Sequence, residues 1–341
     1  MAITAKELAR RLNLSETAVS LALNDKPGVS ADTRRMVTEA ATRYGYDFSR
    51  IRARRAQSER QSKAAIVMGP YQQIAASEFT IFDGVAEGIR ETCQTLGASC
   101  RFISLDADML VGDGLDRLMG DLRQDDVEGL IVRGADVPAL TVSRLDALGI
   151  PIVTVDAFYH ELSCSAVTVS NRLGGRLASA YLCDTYLSEP GYLRCRYRAA
   201  SFDERILGFM ETVRYKALSR HKVSVQTLSP TVSGARNDML RLLDEGLTLP
   251  RSIFAETDQL ALGAARAILD RGLRIPEDVA IMGFDDIAAA KDFEVPLTTI
   301  GYPKALMGVE AARRLVDLMR NPNPYTTNTE VTTSLVKRAS A

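Results

Sequence analysis

Apolar side chains recur at helical spacing in three short segments at the amino terminus. Spacings of three and four residues place them on one face of each segment, which predicts three short amphipathic helices between residues 3 and 45. The positions expected to face inward are Leu8, Ala9 and Leu12, then Val19 and Leu23, then Met36, Val37, Ala40 and Tyr44.

Polar side chains mark where these helices begin and end. Thr4 and Glu7 form a capping box, in which the hydroxyl and the carboxylate each satisfy a backbone N–H that has no helical partner. Ser15 and Ser30 stand at the starts of the second and third segments, and Gly45 follows the last one. Hydroxyl caps before a helix and glycine after it agree with the apolar spacing, so a three-helix head is expected.

The rest of the chain alternates short apolar runs with helical patterns, which predicts parallel sheets covered by helices on both faces. The number of strands exceeds what one compact sheet would hold, so two α/β lobes are expected. Strands are predicted at 65–68, 129–132, 152–155, 167–169, 192–195, 223–228, 252–255 and 279–283. Helices are predicted near 79–96, 113–123, 140–148, 172–187, 203–218, 237–245, 259–271 and 303–319.

These patterns divide the chain into an all-α head and a two-lobed α/β core. The head spans 1–46, and a polar, Arg-rich linker spans 47–63. The core spans 64–341. Its amino-terminal lobe is expected to take about 64–158 and 290–322, and its carboxy-terminal lobe about 159–289 and 323–341.

Charge is distributed unevenly along the 341 residues. Residues 1–63 carry 13 Lys and Arg against 7 Asp and Glu, a net charge of +6, so the remainder carries −7 within a total of −1. A basic head suits contact with the phosphate backbone of a nucleic acid. No apolar run is long enough to cross a membrane and the amino terminus does not resemble a secretory signal, so a cytoplasmic protein is expected.

The composition argues against metal chemistry and catalysis. The five cysteines are an odd number without a CxxC pair, which favours free thiols, and the chain has two histidines. No P-loop, GxSxG or strand-linked GxGxxG motif is present. We therefore predict a protein that is not an enzyme and that uses neither a metal nor a cofactor.

The second helix presents a polar face that suits the major groove. Opposite Val19 and Leu23 lie Glu16, Thr17, Ser20, Leu21 and Asn24. Hydroxyls can bond bases or phosphates, a carboxylate can accept from a cytosine amino group, and an apolar side chain can touch a thymine methyl. The alternative is a solvated helix face, which a single amphipathic helix would favour. The capped three-helix setting and the basic charge favour DNA contact, with Thr4 and Ser15 as further candidates.

The motifs resemble those of the lactose-repressor (LacI/GalR) family. Residues 4–24 read TAKELARRLNLSETAVSLALN and are followed by Val29-Ser30, Thr33-Arg34 and Tyr44-Gly45-Tyr46. The similarity continues through SFDERILGF at 201–209, AETDQLALG at 255–263, IPEDVAIMGFDD at 275–286 and PLTTI at 296–300, to LVKR at 335–338. The resemblance implies a homodimer that binds a pseudo-palindromic operator and a periplasmic-binding-protein-like core that holds an effector between two lobes.

Two departures from the family pattern concern DNA. Leu21 stands where the family usually has Arg, and Arg55 stands where its hinge has a Leu that wedges into the minor groove. Arg55 could enter a narrow minor groove, or Ile51 could act as a displaced wedge. Alternatively the segment is a basic tether that contacts phosphates. Arg50, Arg54 and Arg55 are the predicted DNA contacts of this linker.

The resemblance also assigns an effector site at the carboxyl ends of the strands. Guanidinium and carboxylate groups around aromatic rings are suited to sugar hydroxyls and C–H faces. The predicted ligand-binding residues are Phe79, Asp156, Phe158, Arg205, Thr257, Asp258 and Asp285.

Each of these residues has a structural alternative. Arg205 could pair with a neighbouring carboxylate, and the two phenylalanines could pack in the core. Asp156 and Asp285 could cap helices, and Asp258 could cap a helix beginning at Gln259. Ser170 and Asn171, which replace the usual Asp-Asn of the family, are expected to be structural.

The predicted function is a ligand-responsive DNA-binding regulator. Repression modulated by a sugar or sugar-like metabolite is the leading hypothesis, and activation stays open. The alternatives are a stand-alone carbohydrate-binding protein, or a regulator that uses a nucleobase or phosphorylated co-repressor; no Lys/Arg cluster in the sequence favours the phosphate. A dimer is preferred to a tetramer because no heptad extension follows Arg338.

Overall fold

A computed structural model describes residues 3–23, 28–48, 62–68, 77–105, 107–134, 137–196, 198–216, 223–322 and 325–341. The chain divides into two compact units, Met1–Gln61 and Ser62–Ala341. The first is the all-α head and the second is the α/β core, as the hydrophobic pattern predicts.

The head contains three helices, α1 (Ala5–Leu12), α2 (Glu16–Leu23) and α3 (Ala31–Arg43), packed around one apolar cluster. Its buried members are Leu8, Ala9, Val19, Ala22, Leu23, Val37, Ala40 and Ala41.

Two predicted inward residues of α3 lie outside this cluster. Met36 and Tyr44 are 45% and 39% exposed, because Val37, Ala40 and Ala41 form the packed face and Met36 lies one position away from it. Tyr44 is the residue that ends α3, and its ring lies under the guanidinium of Arg11.

The described strands of the core form two six-stranded sheets. The first sheet has the order β11-β5-β4-β3-β1-β2 and is parallel throughout; the second has the order β12-β10-β9-β8-β6-β7, with only β12 antiparallel to its neighbour. The first consists of β1 (Ser62–Met68), β2 (Ala98–Ser104), β3 (Gly129–Arg133), β4 (Ile152–Val155), β5 (Ser165–Val169) and β11 (Asn328–Val331). The second consists of β6 (Gly191–Cys195), β7 (Val225–Leu228), β8 (Ser252–Ala255), β9 (Ala280–Phe284), β10 (Thr298–Gly301) and β12 (Ser334–Val336).

The helices of the core follow the predicted alternation with the strands. Central strands such as β3 and β9 are buried along their whole length because helices cover both faces of each sheet, which explains their continuous apolar runs. The helices are α4 (Ser77–Thr95), α5 (Gly112–Gln124), α6 (Ala139–Asp146), α7 (Asn171–Tyr186), α8 (Ala200–Tyr215), α9 (Val232–Asp244), α10 (Asp258–Asp270), α11 (Ala288–Lys291) and α12 (Lys304–Arg320), with a 3-10 turn at Ala107–Leu110.

Sheet membership corrects the predicted lobe boundaries. β5 and β11 belong to the first sheet although both were expected in the carboxy-terminal lobe, and β10 belongs to the second sheet although it was expected in the amino-terminal one. Within the described chain, the connections between the lobes therefore lie near residue 170, at residues 302–303 and at residues 332–333. Which sheet a strand joins is decided by backbone pairing, which apolar periodicity does not reveal.

Each lobe contains a pair of helices that cross with their backbones in close approach. A Cβ added at Gly208 of α8 would lie 2.0 Å from the carbonyl oxygen of Arg172 on α7, and one at Gly175 would lie 2.1 Å from that of Arg205. The helix pair α4 and α12 of the first lobe meets in the same way at Gly88 and Gly308. These glycines set how closely the helices approach, and the α7–α8 contact fixes the position of Arg205.

Replacing Gly208 by alanine is expected to lower the free energy of unfolding by about 1–3 kcal/mol, since the new methyl group forces two backbones apart. The matched control is Gly120→Ala in α5, because that glycine is exposed and nothing lies within 4 Å of an added Cβ. Alanine there is expected to stabilise by roughly 0.5–1 kcal/mol through helix propensity. Urea unfolding measures both, and equal effects would contradict the close crossing.

Candidate functional site

The predicted DNA-reading face of α2 is largely exposed in the head. Glu16, Thr17 and Ser20 are exposed, whereas Leu21 is half-buried. A Cβ built on Gly28 would lie 3.2 Å from Cδ1 of Leu21, so the end of this side chain lies beside Gly28. The face therefore combines two hydroxyls and a carboxylate with one apolar side chain, as the sequence predicts.

The two remaining head candidates of the described region hold helix starts. The Thr4 hydroxyl accepts a hydrogen bond from the N–H of Glu7 and donates to its carboxylate, and this capping box lowers the pKa of Glu7. The Ser15 hydroxyl accepts from the N–H of Ala18 at 3.0 Å. Contact of these two side chains with DNA stays a prediction. Four other predicted DNA contacts, Asn24, Arg50, Arg54 and Arg55, lie outside the described residues.

Arg205 lies at the centre of the second lobe's cleft-facing end, on α8. Its guanidinium donates from Nε to Asn171 Oδ1 at 2.9 Å and from Nη1 to the Glu256 carbonyl oxygen at 2.5 Å. Nη2 lies 3.5 Å from Asp285 Oδ1, and the guanidinium carbon lies 3.6 Å from the centre of the Phe284 ring. The side chain is only 4% exposed. Arg205 thus pairs with a carboxylate, which is the structural role considered for it in the sequence. That carboxylate belongs to Asp285, which is itself a predicted ligand-binding residue.

Three aspartates at strand ends have a backbone conformation that side chains other than glycine seldom adopt. The φ angles are 65° at Asp156 after β4, and 113° and 50° at Asp285 and Asp286 after β9. Such strain is kept where surrounding contacts enforce it, and it is concentrated at functional sites. Asp156 and Asp285 follow strands of different sheets, yet they lie close enough for the charge of Asp156 to act on Asp285.

The carboxyl group of Asp285 has a strongly perturbed acidity. Burial raises its pKa to about 6, and the negative charge of Asp156 adds to the increase, while Arg205 and Lys304 oppose it. A buried acid between two cations is a common arrangement in ligand sites. Asp285 is therefore mostly ionised at neutral pH and becomes protonated in mildly acidic solution.

Thr257 and Asp258 have structural contacts. Thr257 caps α10 by accepting from the N–H of Leu260, so the helix begins at Asp258 and the cap is one residue earlier than the sequence suggested. Both oxygens of the wholly buried Asp258 carboxylate are engaged, by the N–H of Ile287 at 2.9 Å and the hydroxyl of Thr299 at 2.5 Å. These contacts give Asp258 a structural role between α10 and the segments after β9 and in β10, and its contact with a ligand stays a prediction.

The first lobe contributes Asp156 and an aromatic loop. Phe158 is half-buried and its ring meets that of His160 edge to face, with centroids 4.7 Å apart. Phe79 belongs to α4, but its side chain lies outside the described part of the structure. Arg133 at the end of β3 is buried, with its guanidinium carbon 5.4 Å from the centre of the Phe82 ring. Asp156 is thus the predicted ligand residue of this lobe that the structure places beside Asp285.

A buried glutamate, Glu256, was missed by the sequence analysis. Its carboxylate accepts from the N–H of Cys195 at 2.6 Å, from the Tyr192 hydroxyl at 3.1 Å and from Arg198 at 3.0 Å. Burial raises its pKa, and these donors oppose the increase. Glu256 is the second residue of the AETDQLALG motif, a position that the family pattern leaves variable, so the motif did not indicate its role. It fixes the end of β6 against the end of β8, directly beneath Arg205.

Cations are more numerous at this end of the lobes than the sequence indicated. Arg198 and Arg205 lie 5.8 and 5.2 Å from the Phe202 ring, and Lys304 lies on the opposite lobe. The arginines have carboxylate partners, Asp203 and Glu256 for Arg198 and Asp285 for Arg205. The sequence left a lysine near the cleft open, and Lys304 is such a residue. Because the arginine charges are already balanced, the cluster by itself does not favour an anionic ligand.

Two further features bear on the protein's class. Among the described helices, none combines the length and apolar character needed to span a bilayer. A search of the described residues finds no group of three His, Cys, Asp or Glu side chains placed to hold a metal ion.

Comparison with known proteins gives relatives of one kind along nearly the whole chain. The family model for a periplasmic binding protein-like domain matches residues 187–341. The ribose operon repressor of Haemophilus influenzae is 26% identical over 320 residues, covering 94% of this chain and 93% of the relative. The transcriptional repressor PurR of Klebsiella pneumoniae is 27% identical over 346 residues, covering 99% and 96%.

Solved structures share the fold of this chain. A complex of the transcriptional regulator CelR with cellobiose is 25% identical, with a TM-score of 0.71 over 99% of this chain and 100% of that one. A lac repressor dimer bound to operator and the anti-inducer ONPF has the same fold, at 22% identity and a TM-score of 0.68, covering 100% and 99%. Residues 187–341 thus match a periplasmic binding protein-like domain, and nearly the whole chain is similar to transcriptional repressors, in agreement with the resemblance of its motifs to the LacI/GalR family.

Proposed function

We propose that this protein is a transcriptional repressor whose binding to operator DNA is modulated by a small sugar-like molecule held between the two lobes of its core. The observation that carries the proposal is the Arg205–Asp285 couple, which lies at the carboxyl ends of the second sheet and beside Asp156 of the first lobe. Parallel α/β sheets bind their ligands at this edge.

The chemistry of the couple suits a polyol. A guanidinium offers several donors in one plane, and two carboxylates from opposite lobes offer acceptors, so adjacent hydroxyl groups can be bonded from both sides. Relatives of the fold were solved with such ligands: a complex of CelR with cellobiose and a regulator from Enterococcus faecium with bound ribose. Ribose and cellobiose are therefore the first compounds to test.

Regulation requires that the sugar prefers one arrangement of the lobes. A ligand shifts operator binding only through its difference in affinity between the two arrangements, and operator DNA must shift sugar affinity by the same factor. We infer a homodimer that places two heads on a pseudo-palindromic site, as in the lac repressor dimer bound to operator. Acting on chromosomal DNA implies a cytoplasmic protein, and no catalytic step or cofactor is part of the proposed role.

The test is a selection of operator DNA followed by sugar-dependent release. Full-length protein is used to enrich a random duplex pool, and the selected site is expected to be two-fold symmetric. Ribose or cellobiose is then expected to change operator affinity by 5-fold or more, on the order of 1–3 kcal/mol of coupling.

The controls separate the parts of the proposal. Enrichment of no specific site would overturn the DNA-binding role. A site that responds to purine bases and to neither sugar would instead support a nucleobase co-repressor, the alternative that the PurR relatives suggest. Failure of every compound to alter operator affinity would overturn modulation through the cleft.

A further inference from the structure

Lys304 connects the two lobes at the point where the acidic turn of the second lobe meets the first. It is the first residue of α12, a helix packed against α4 in the first lobe. Its ammonium donates to the carbonyl oxygen of Asp285 at 2.5 Å and to that of Asp286 at 3.3 Å, both in the turn after β9 of the second sheet. One side chain of the first lobe thus holds two consecutive carbonyl groups of the second.

These carbonyls belong to the strained turn that orients the Asp285 carboxylate. With φ angles of 113° and 50°, Asp285 and Asp286 need external contacts to keep their conformation. An ammonium bonded to both carbonyls supplies such a contact, and its charge lies close to the carboxylate. Gly84 on α4 leaves room for the lysine stem, because a Cβ there would lie 3.2 Å from the Lys304 Cβ.

A second cation holds the same turn from within its own lobe. Arg338, which follows β12, donates to the Asp286 carboxylate at 2.5 Å and to the Leu297 carbonyl oxygen at 2.8 Å. Arg338 therefore supports the turn without crossing between lobes. Comparing Lys304 with Arg338 therefore distinguishes support of the turn from the opposite lobe from support of the turn within its own lobe.

We propose that Lys304 is a positioning residue for the effector site, which sets the Asp285 turn from the opposite lobe and makes its geometry depend on how the lobes are arranged. The inference rests on the proposed function, since it concerns the same cleft. If α12 moves relative to the second sheet, the turn either moves with Lys304 or loses its two hydrogen bonds. In both cases the geometry of the turn depends on how the lobes are arranged.

The pKa of Asp285 is a measurement that distinguishes this role, because replacing a lysine with only a structural role would leave it unchanged. The charged groups around the Asp285 carboxyl are Arg205 on α8, Lys304 on α12, Asp156 after β4 and Asp258 on α10. Lys304 lowers the pKa of Asp285, so its removal must raise it above the present value of about 6. If the ionised carboxylate accepts sugar hydroxyls, affinity is full above this pKa and falls about tenfold for each pH unit below it.

The experiment compares Lys304→Met, Lys304→Arg and the control Arg338→Met in the full-length protein. Carbon-13 NMR of the aspartate carboxyls follows the titration midpoint of Asp285, and calorimetry measures ribose and cellobiose binding from pH 5 to 8. In Lys304→Met we expect the midpoint to rise and sugar affinity to fall with the ionised fraction of Asp285, by about threefold at pH 6.5 and about ninefold at pH 5 for a rise of about one unit. Lys304→Arg should restore most of both, and Arg338→Met should change the midpoint less.

Three results decide the matter. An unchanged Asp285 midpoint in Lys304→Met would overturn the inference without any ligand being needed. Equal changes in Lys304→Met and Arg338→Met would also overturn it, because the effect would then be general loosening of the turn. A raised midpoint with no sugar binding even in the wild type would support the hold of Lys304 on Asp285 while contradicting the proposed sugar effector.

Discussion

Arg205→Ala is expected to weaken sugar binding by 100-fold or more and to abolish the sugar response at the operator. The substitution removes the guanidinium that is proposed to bond sugar hydroxyls and also leaves the buried Asp285 carboxylate without its partner. Hydrogen bonds from a charged group contribute about 1.5–3 kcal/mol each, so the loss of two to the sugar corresponds to a factor of about 10² or more in affinity. Calorimetry with ribose and cellobiose, with operator release measured in parallel, tests the expectation.

Loss of folding has to be separated from loss of binding, because Arg205 also bonds Asn171 and the Glu256 carbonyl. Asp285→Asn provides the second variant: it keeps the size of the side chain and removes the charge, so we expect a 10- to 100-fold loss of sugar affinity, on the order of 1.4–2.8 kcal/mol, and a flat pH profile. Arg172→Ala on the adjacent helix is the matched control, since that arginine is about half exposed and pairs with Glu211. Wild-type sugar binding by a folded Arg205→Ala protein would contradict the assigned site.

The sequence predicted the parts of the fold in which local pattern and tertiary burial agree. β3, β4, β8 and β9 are buried along their whole length, so each appears as a short apolar run. β2, β11 and β12 were not predicted, because they lie at sheet edges and are partly exposed. β10 is buried but rich in threonine. Its hydroxyls are satisfied by groups that only the folded chain brings near, such as the Asp258 carboxylate that accepts from Thr299.

The site shows the same division. Arg205 and Asp285 were predicted from motifs, and the structure brings them together. Glu256 and Lys304 were not predicted, since their roles depend on backbone groups far away in sequence: the N–H of Cys195 for Glu256 and the carbonyls of residues 285–286 for Lys304. Asp258 was assigned to the ligand although its carboxylate is buried among backbone and hydroxyl donors. Motif position specifies which residue is present, whereas the direction of its side chain is decided by packing.

The double substitution Thr17→Ala/Ser20→Ala is expected to reduce the affinity of the dimer for the selected operator by roughly 100-fold, because each of two heads loses two hydrogen bonds of about 0.5–1.5 kcal/mol. Both side chains are exposed on the α2 face opposite the packed Val19 and Leu23, so their loss should leave the head folded. Thr42→Ala on α3 is the control, since its hydroxyl is exposed and donates to the Thr38 carbonyl oxygen.

Salt dependence distinguishes base contacts from phosphate contacts in these variants. If about six phosphates are neutralised per dimer, the logarithm of wild-type operator affinity should fall with the logarithm of salt concentration with a slope of about −5. Removing base contacts lowers affinity for the operator while leaving this slope and the non-specific affinity unchanged. A slope that becomes shallower in Thr17→Ala/Ser20→Ala would assign the hydroxyls to phosphates, and a nearly flat wild-type slope would contradict a role for the basic head in holding DNA. Because α2 carries Leu21 where relatives usually have an arginine, the operator obtained by selection, and not one borrowed from a relative, is the DNA on which these slopes have to be measured.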